Sequence, residues 1–240
     1  MMQIRRWFDT VLAVIWLRAG TARRVLFGPY RGLTFGLSEP MTTRRSVFYR
    51  AYEPNVRAIL QATVQPGMTV YVIGAHVGLH ALYIAKLLGG RGRVVAFEGW
   101  KTNYEGLVWN VNLNRQLGVD IVSLNVAVAR QSGQVLMEQG GSDGKHHLTG
   151  SAGGHTIEVE AVSLDAFYAQ QPAGPDLLLI DIEGYELDAL QGGEQMIAAC
   201  KPVLILEHHE RQSELRAWLQ SHNYDLDSED RRHLLATSRR

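Results

Sequence analysis

An α/β fold, doubly wound about a mostly parallel sheet, is predicted by three features of this sequence. From Thr69 onward, short β-branched runs alternate with amphipathic helical stretches, the sign of parallel strands covered on both faces. The first of these runs ends in a glycine turn, Gly74-Ala75-His76-Val77-Gly78, and later ones end in acidic residues, Glu98, Asp181 and Glu207. Two further short strands close the chain, near Tyr224 to Leu226 and His233 to Ala236. A terminal hairpin on an otherwise parallel sheet separates this architecture from a flavodoxin-like one, which stops earlier.

Taken in order, residues 1–50 read as an N-terminal extension made of an amphipathic helix and a short strand region, and residues 51–240 as one domain with its own core. Trp7, Val11, Val14 and Ile15, flanked by Phe8 and Leu12, recur at helical spacing. The unbroken apolar run Val11 to Leu17 is far shorter than the ~20 residues a membrane span requires. Packing on the core or on a second subunit, which makes this helix the natural homodimer element, is the first reading. Peripheral docking on a membrane surface is the second. The first strand of the domain is Thr69 to Ile73, opened by Pro66-Gly67. A helix with Leu79, Leu82, Tyr83 and Leu87 on one face follows and stops at Gly89-Gly90. Arg93 to Phe97 is the second strand, Asn103 to Asn112 a helix, and Ile121 to Val128 the third strand. Between Gly133 and Val162 the pattern changes to two alternating stretches, Gln134 to Glu138 and Thr156 to Val162, read as a small inserted hairpin around a glycine-rich segment. The rhythm resumes with strand Leu177 to Ile182, one helix carrying Leu187, Leu190 and Ile197, strand Val203 to Leu206, and a helix marked by Leu215, Trp218 and Leu219.

Composition narrows the function classes. With 46% hydrophobic and 20% charged residues the chain is globular rather than disordered. A formal net charge of zero argues against a dedicated nucleic-acid binder, which needs excess Lys and Arg to displace phosphate counterions. Through residue 45, eight arginines (5, 6, 18, 23, 24, 31, 44 and 45) stand against Asp9 and Glu39, so the basic excess lies in the extension. A single cysteine, Cys200, makes no internal disulfide and points to a reducing, cytoplasmic setting. No signal peptide is expected, since Asp9 interrupts the approach to the apolar run.

The chemistry gathers at strand ends. Gly74 and Gly78 let the backbone turn sharply and approach a ligand ahead of a helix N-terminus. Glu98 follows Gly78 by 20 residues, at the end of the next strand, where a carboxylate accepts hydrogen bonds from both ribose hydroxyls. Together they indicate an adenosine-containing cofactor; the G-x-G-x-x-G spacing that receives a pyrophosphate is absent. Asp181-Ile182-Glu183-Gly184-Tyr185-Glu186 leaves an apolar strand where open α/β folds bind ligands. Helix capping accounts well for one acid there and less well for two. Glu207-His208-His209 ends the next strand, and alternation sends only one of the two histidines toward the cleft. Lys145, His146 and His147 read as a solvated loop, a lid or acceptor contact.

These blocks resemble the FkbM family of methyltransferases. The resemblance runs from about Tyr52 to His209: Tyr52-Glu53-Pro54, Gly74-Ala-x-Val-Gly78, Val94-Val-Ala-Phe-Glu98, Asn110-Val-Asn-Leu-Asn114, Asn125-Val-Ala-Val128, Ser163-Leu-Asp165, Ile180-Asp-Ile-Glu-Gly-Tyr-Glu-Leu187 and Pro202-Val-Leu-Ile-Leu-Glu207. It implies a class I, Rossmann-like methyltransferase fold, S-adenosylmethionine as methyl donor, and O-methylation of a sugar, glycan or small natural product. The donor-binding residues it implies are Gly74, Ala75, His76, Gly78, Glu98, Gly99, Ala127 and Asp181. Four positions depart from the family pattern. Val72 stands where an acid usually helps hold the donor's methionine end, His76 replaces the usual Asn, and Leu179 and Gly99 replace a usual Lys and Pro. His76 is either a substitute hydrogen-bond partner or a space-filling imidazole.

In-line methyl transfer requires the acceptor oxygen to be held near the methyl group and to lose its proton. Asp181 is expected to face the donor, Glu183 to organise the acceptor, and His208 (or His209) to act as general base. A divalent metal on Asp181, Glu207 and His208 is a less favoured reading, and no metal ligand is assigned. A catalytically weak binding protein is the main rival, because of Val72 and His76. A nicotinamide-dependent oxidoreductase ranks lower, since no Tyr-x-x-x-Lys pair is present.

Overall fold

The computed structural model of the chain describes residues 22–36, 53–139, 146–149, 156–207, 212–227 and 233–239. The amphipathic helix expected around Trp7 to Ile15 lies outside them, as do Lys145, His208 and His209. Among the described residues no helix is long and apolar enough to cross a membrane.

The chain enters as a hairpin, β1 (Ala22–Arg24) and β2 (Thr34–Gly36), and continues through helix α1 (Pro54–Thr63) into β3 (Thr69–Ile73), α2 (Leu79–Leu88), β4 (Arg93–Phe97), α3 (Lys101–Leu113) and β5 (Asp120–Leu124). Next come β6 (Ala127–Val128), β7 (Gly133–Gln139), β8 (His146–Thr149), β9 (Thr156–Val162) and a short helix α4 (Leu164–Tyr168). The α/β alternation then returns with β10 (Leu177–Ile180), α5 (Glu186–Gln191), α6 (Glu194–Cys200), β11 (Val203–Glu207), α7 (Gln212–Ser221), β12 (Tyr224–Asp227) and β13 (His233–Ser238).

The main sheet has seven strands in the order β12-β13-β11-β10-β3-β4-β5. From β11 to β5 every pairing is parallel, and β13 alone runs antiparallel, against both β11 and β12. The chain runs outward from β3 to β5 and returns to β10 on the other side of β3. The carboxyl ends of β3 and β10 therefore flank a topological switch point, where a crevice opens in sheets of this kind. The terminal hairpin falls where the sequence predicts it.

Helix α2 is nearly all apolar, and eight of its ten residues are buried, more than the single apolar face the sequence suggests. The cause is the β1–β2 hairpin, which covers its outer side. Val25, Tyr30, Leu33 and Phe35 join the same core cluster as Leu82 and Tyr83, and the Tyr30 and Tyr83 rings lie 5.1 Å apart. A helix covered on both sides has no polar face to keep.

Side chains from α3 complete the hydrogen bonding of β2. Asn110 Oδ1 accepts the Gly36 N–H at 2.7 Å. Asn114 Oδ1 accepts the Thr34 N–H at 2.8 Å, and its Nδ2 donates to the Thr34 carbonyl at 2.6 Å. The Asn110-Val-Asn-Leu-Asn114 block thus holds the hairpin edge as another strand would. Asn114→Ala leaves one donor and one acceptor without their partner, at about 1–3 kcal/mol each for a buried group. We expect a loss of about 2–6 kcal/mol, read as a lowered urea midpoint at constant slope.

Three expectations are corrected. The run Ile121 to Val128 is not one strand: the main-sheet strand ends at Leu124, and Ala127–Val128 pairs with β9 in a different sheet. The inserted hairpin is a four-stranded sheet, order β6-β9-β7-β8, with the expected antiparallel pair β7–β9 at its centre. The helix drawn through Leu187 and Ile197 is two helices, broken at Gly192-Gly193. A Cβ on Gly192 would sit 2.5 Å from the Ala129 carbonyl oxygen, so the backbone that follows β6 passes where a side chain would stand.

Candidate active site at the sheet's carboxyl edge

Gly74 leaves β3 at φ 80°, a conformation glycine takes without steric cost. A Cβ at this position would overlap the carbonyl oxygen of Asp181. The glycine turn and the acidic turn after β10 are therefore in backbone contact across the switch point, and the Asp181 N–H donates to the Ile73 carbonyl at 3.0 Å. Gly78, at φ 88°, precedes α2, and a Cβ there would lie 2.6 Å from Leu107 Cδ1, which fixes how closely α2 and α3 approach. Ala75 is buried between them.

Glu98 is buried at the end of β4. Its Oε2 accepts the His76 N–H at 2.7 Å, and its Oε1 accepts the Trp100 N–H at 2.8 Å. The Asn103 side chain is a third donor to the carboxylate, whose roughly four lone-pair sites leave room for a further donor. Burial pushes the Glu98 carboxyl above its usual range; the Trp100 N–H, the His76 ring and N–H, and the Asn103 side chain oppose that rise. Asn125 Nδ2 donates to the Glu98 and Gly99 carbonyls at 2.9 and 3.1 Å, which fixes the turn after β4.

His76 adopts φ 50° and contributes its backbone N–H to Glu98, so the position works here through the main chain. Val72 lies in the apolar core with Val70, Leu179 and Ile205 and offers no polar group. Gly99 faces the smaller sheet: a Cβ there would be 2.7 Å from Met137 Sδ and 3.2 Å from Ala127 Cβ. Ala127 belongs to a small apolar cluster with Ala129, Met137, Leu148 and Ala161, against which Trp100 and Tyr185 pack. The smaller sheet thus rests on residues that directly follow β4 and β10.

In the acidic turn, Glu183 (φ 51°) and Gly184 (φ 101°) both adopt left-handed backbone, a strained state for a glutamate. A third acid also holds this turn. Glu186, 1% exposed, accepts the Gly184 N–H at 2.9 Å through Oε1. The first helical turn is held by Glu186, and Asp181 and Glu183 are not its N-cap, which is Tyr185.

One set of polar residues in the fold was not assembled by the sequence analysis. Glu53, Glu207 and His233 each place one potential ligand atom within 4.8 Å of the others. His80 Nε2 lies 2.6 Å from Glu53 Oε2. Among the described residues Asp181 is not part of this group, so the carboxylates that meet at the edge of β11 are Glu53 and Glu207. A separate hollow, lined by Lys201, His222, Tyr224 and Arg239 among others, lies at the opposite edge of the sheet, where β11 and β12 begin.

Comparison with known proteins agrees with this fold. Residues 73–226 match the model of the Methyltransferase FkbM domain. A solved Methyltransferase FkbM from Methylobacillus flagellatus KT superposes with TM-score 0.52 at 17% identity, over 82% of this chain and 54% of that one. This chain therefore spans about half the length of that relative. A structure provisionally assigned as an rRNA-methylase, from Clostridium thermocellum, gives TM-score 0.51 at 8% identity over 76% of this chain and 92% of that one. At these identities the structural likenesses establish an α/β methyltransferase-like fold. No curated protein sequence matches. The family match covers well over half of the chain and includes the glycine turn, Glu98 and the acidic turn: this chain carries a methyltransferase domain and belongs to the FkbM family.

Proposed function

We propose that the protein transfers a methyl group from S-adenosylmethionine to a hydroxyl of a sugar, glycan or small natural product, in the cytoplasm. Residues 51–240 form the methyltransferase domain and residues 1–50 an extension that contacts the acceptor, a membrane surface or a second copy of the chain. The observation that carries this reading is the convergence of three strand ends. The turn at Gly74, the hydrogen-bonded Glu98 and the turn at Asp181 follow β3, β4 and β10, three neighbouring strands with β3 in the middle, at the switch point.

In this reading Glu98 accepts the two ribose hydroxyls. Gly74, Ala75, His76 and Gly78 pass their backbone along the donor, Gly99 and Ala127 bound the adenine side, and Asp181 looks toward the sulfonium. Glu183 orients the acceptor and His208 takes its proton. Transfer then follows from holding the oxygen in line with the methyl–sulfur bond. Val72 favours one alternative, a donor-binding protein of weak or no turnover, since an apolar side chain stands where the family holds an acid.

Asp181→Asn and His208→Asn should each cut turnover, the latter by about 10²–10⁴ as for loss of a general base, with little change in melting temperature. The assay follows S-adenosylhomocysteine release. Full activity in both variants removes them from the mechanism. Thermal protection of the wild type by NAD, with none by S-adenosylhomocysteine, removes the methyltransferase reading itself.

A further inference from the structure

The Glu53, Glu207 and His233 group is built from three distant parts of the chain. Glu53 immediately precedes α1, Glu207 is the last residue of β11, and His233 is the first of β13. Glu207 and His233 are register partners across the antiparallel β11–β13 pair, so their side chains leave the same face of the sheet. Both are buried, at 4% and 6% exposure, and the Glu53 side chain is 23% exposed. Two carboxylates and an imidazole thus bring one potential ligand atom each within 4.8 Å of one another in a largely desolvated place, with the donor types a divalent ion takes. Ligands at about 2.0–2.2 Å lie up to about 4.4 Å apart across a single ion, so side-chain adjustments of a few tenths of an ångström bring atoms within 4.8 Å of one another into reach of one. His80 supplies the support that ligating side chains usually take from an outer hydrogen-bond partner, through its 2.6 Å contact with the Glu53 carboxylate.

We infer that Glu53, Glu207 and His233 form a binding site for one first-row divalent cation, of the Mn²⁺ or Zn²⁺ class. Mixed carboxylate and imidazole donors favour such ions over Mg²⁺ and Ca²⁺, which take oxygen ligands. Three protein ligands leave coordination positions open, the arrangement of a catalytic rather than a purely structural site. The set differs from Asp181, Glu207 and His208, since only Glu207 is common to both.

The place of the site gives it a use, which rests on the methyl-transfer reading above. Ile180 and Leu206 are register partners on the parallel strands β10 and β11. Asp181 and Glu207 therefore leave the sheet at the same level, one strand spacing apart, about 5 Å. An acceptor hydroxyl whose oxygen reached an open coordination position would lie beside the donor turn and would give up its proton more readily. The proton passes to the general base of that reading, the oxygen forms a bond to the methyl carbon, the carbon–sulfur bond breaks, and its electron pair stays on sulfur as the neutral thioether.

The test is a titration of the chelator-stripped full chain with Mn²⁺, followed by electron paramagnetic resonance, and with Zn²⁺ by calorimetry. One ion per chain is expected, with affinity lowered about 10–100-fold in His80→Ala and by at least as much in His233→Ala and Glu207→Gln. Absence of saturable binding by the wild type, or undiminished binding in folded His233→Ala, overturns the site. Should His233→Ala fail to fold, His233→Gln and the wild-type stoichiometry decide. S-adenosylhomocysteine binding is measured on the same samples. Donor binding without the ion removes the metal and keeps the methyltransferase; the ion without donor binding keeps the metal site and removes its proposed use.

Discussion

Gly74→Ala is expected to lower stability by about 2–5 kcal/mol and to abolish donor binding. A left-handed φ costs a residue with a Cβ about 1–2 kcal/mol. The new methyl group would also overlap the Asp181 carbonyl oxygen. That atom is backbone, tied to the β10 turn, and shifting packed backbone costs a further 1–3 kcal/mol or so. Relief can come only by moving β3 and β10 apart at the switch point, which separates the donor turn from Asp181. The urea midpoint should fall, and S-adenosylhomocysteine should no longer raise the melting temperature. An alanine variant that kept both wild-type values would show that the two turns are not in contact.

Glu98→Ala is expected to weaken S-adenosylhomocysteine binding by about 10²–10⁴-fold, since it removes two hydrogen bonds to a charged acceptor, each worth about 1.5–3 kcal/mol. The His76 and Trp100 N–H groups lose their acceptor as well, so the donor turn loosens. Glu98→Gln does not restore the site, because its amide NH₂ would face one of those two N–H donors. Burial raises the Glu98 carboxyl, and this fixes two signs. The ionised form binds the ribose, so donor affinity falls as pH drops through the raised value, which lies above the range of an ordinary glutamate. The neutral form is what burial favours, so the contribution of Glu98 to stability is present below the ordinary carboxyl range and is lost as pH rises through the raised value. Calorimetric titrations and urea midpoints over an acidic pH series check both. An affinity independent of pH across that range contradicts the role given to this carboxylate.

The parts of the fold legible in the sequence are those with local boundaries. Thr69–Ile73 and Arg93–Phe97 were read to the residue, because Pro66-Gly67, Gly74, Gly89-Gly90 and Glu98 bracket them. The third strand was read too long, because Ile121 to Val128 is apolar with a single polar break at Ser123 to Asn125. What turns the chain there is a tertiary contact, Asn125 holding the Glu98 and Gly99 carbonyls. The break between α5 and α6 was missed for a related reason. A glycine inside a helical pattern is tolerated, and only the passage of the Ala129–Arg130 backbone beside Gly192 shows why the helix must stop.

The site divides along the same line. Gly74, Glu98 and Asp181 were legible because each ends a strand, and strand ends converge in any sheet of this topology. Glu53, His80 and His233 were not. Glu53 sits in a Tyr-Glu-Pro block with no local sign of a role, and nothing in the sequence near residues 53, 207 and 233 says that they meet. Their meeting depends on β13 inserting between β11 and β12, a long-range pairing with no local signature. The acid before the acidic helix was legible as either a cap or a site residue. In the structure the Gly184 N–H is accepted by Glu186.

Calorimetric titration of S-adenosylhomocysteine into the wild-type chain, repeated with NAD, tests most directly whether Glu98 and Asp181 border one adenosyl-sulfur site. The account predicts saturable binding of one S-adenosylhomocysteine per chain and no heat from NAD. Saturable NAD binding with no response to S-adenosylhomocysteine would contradict it.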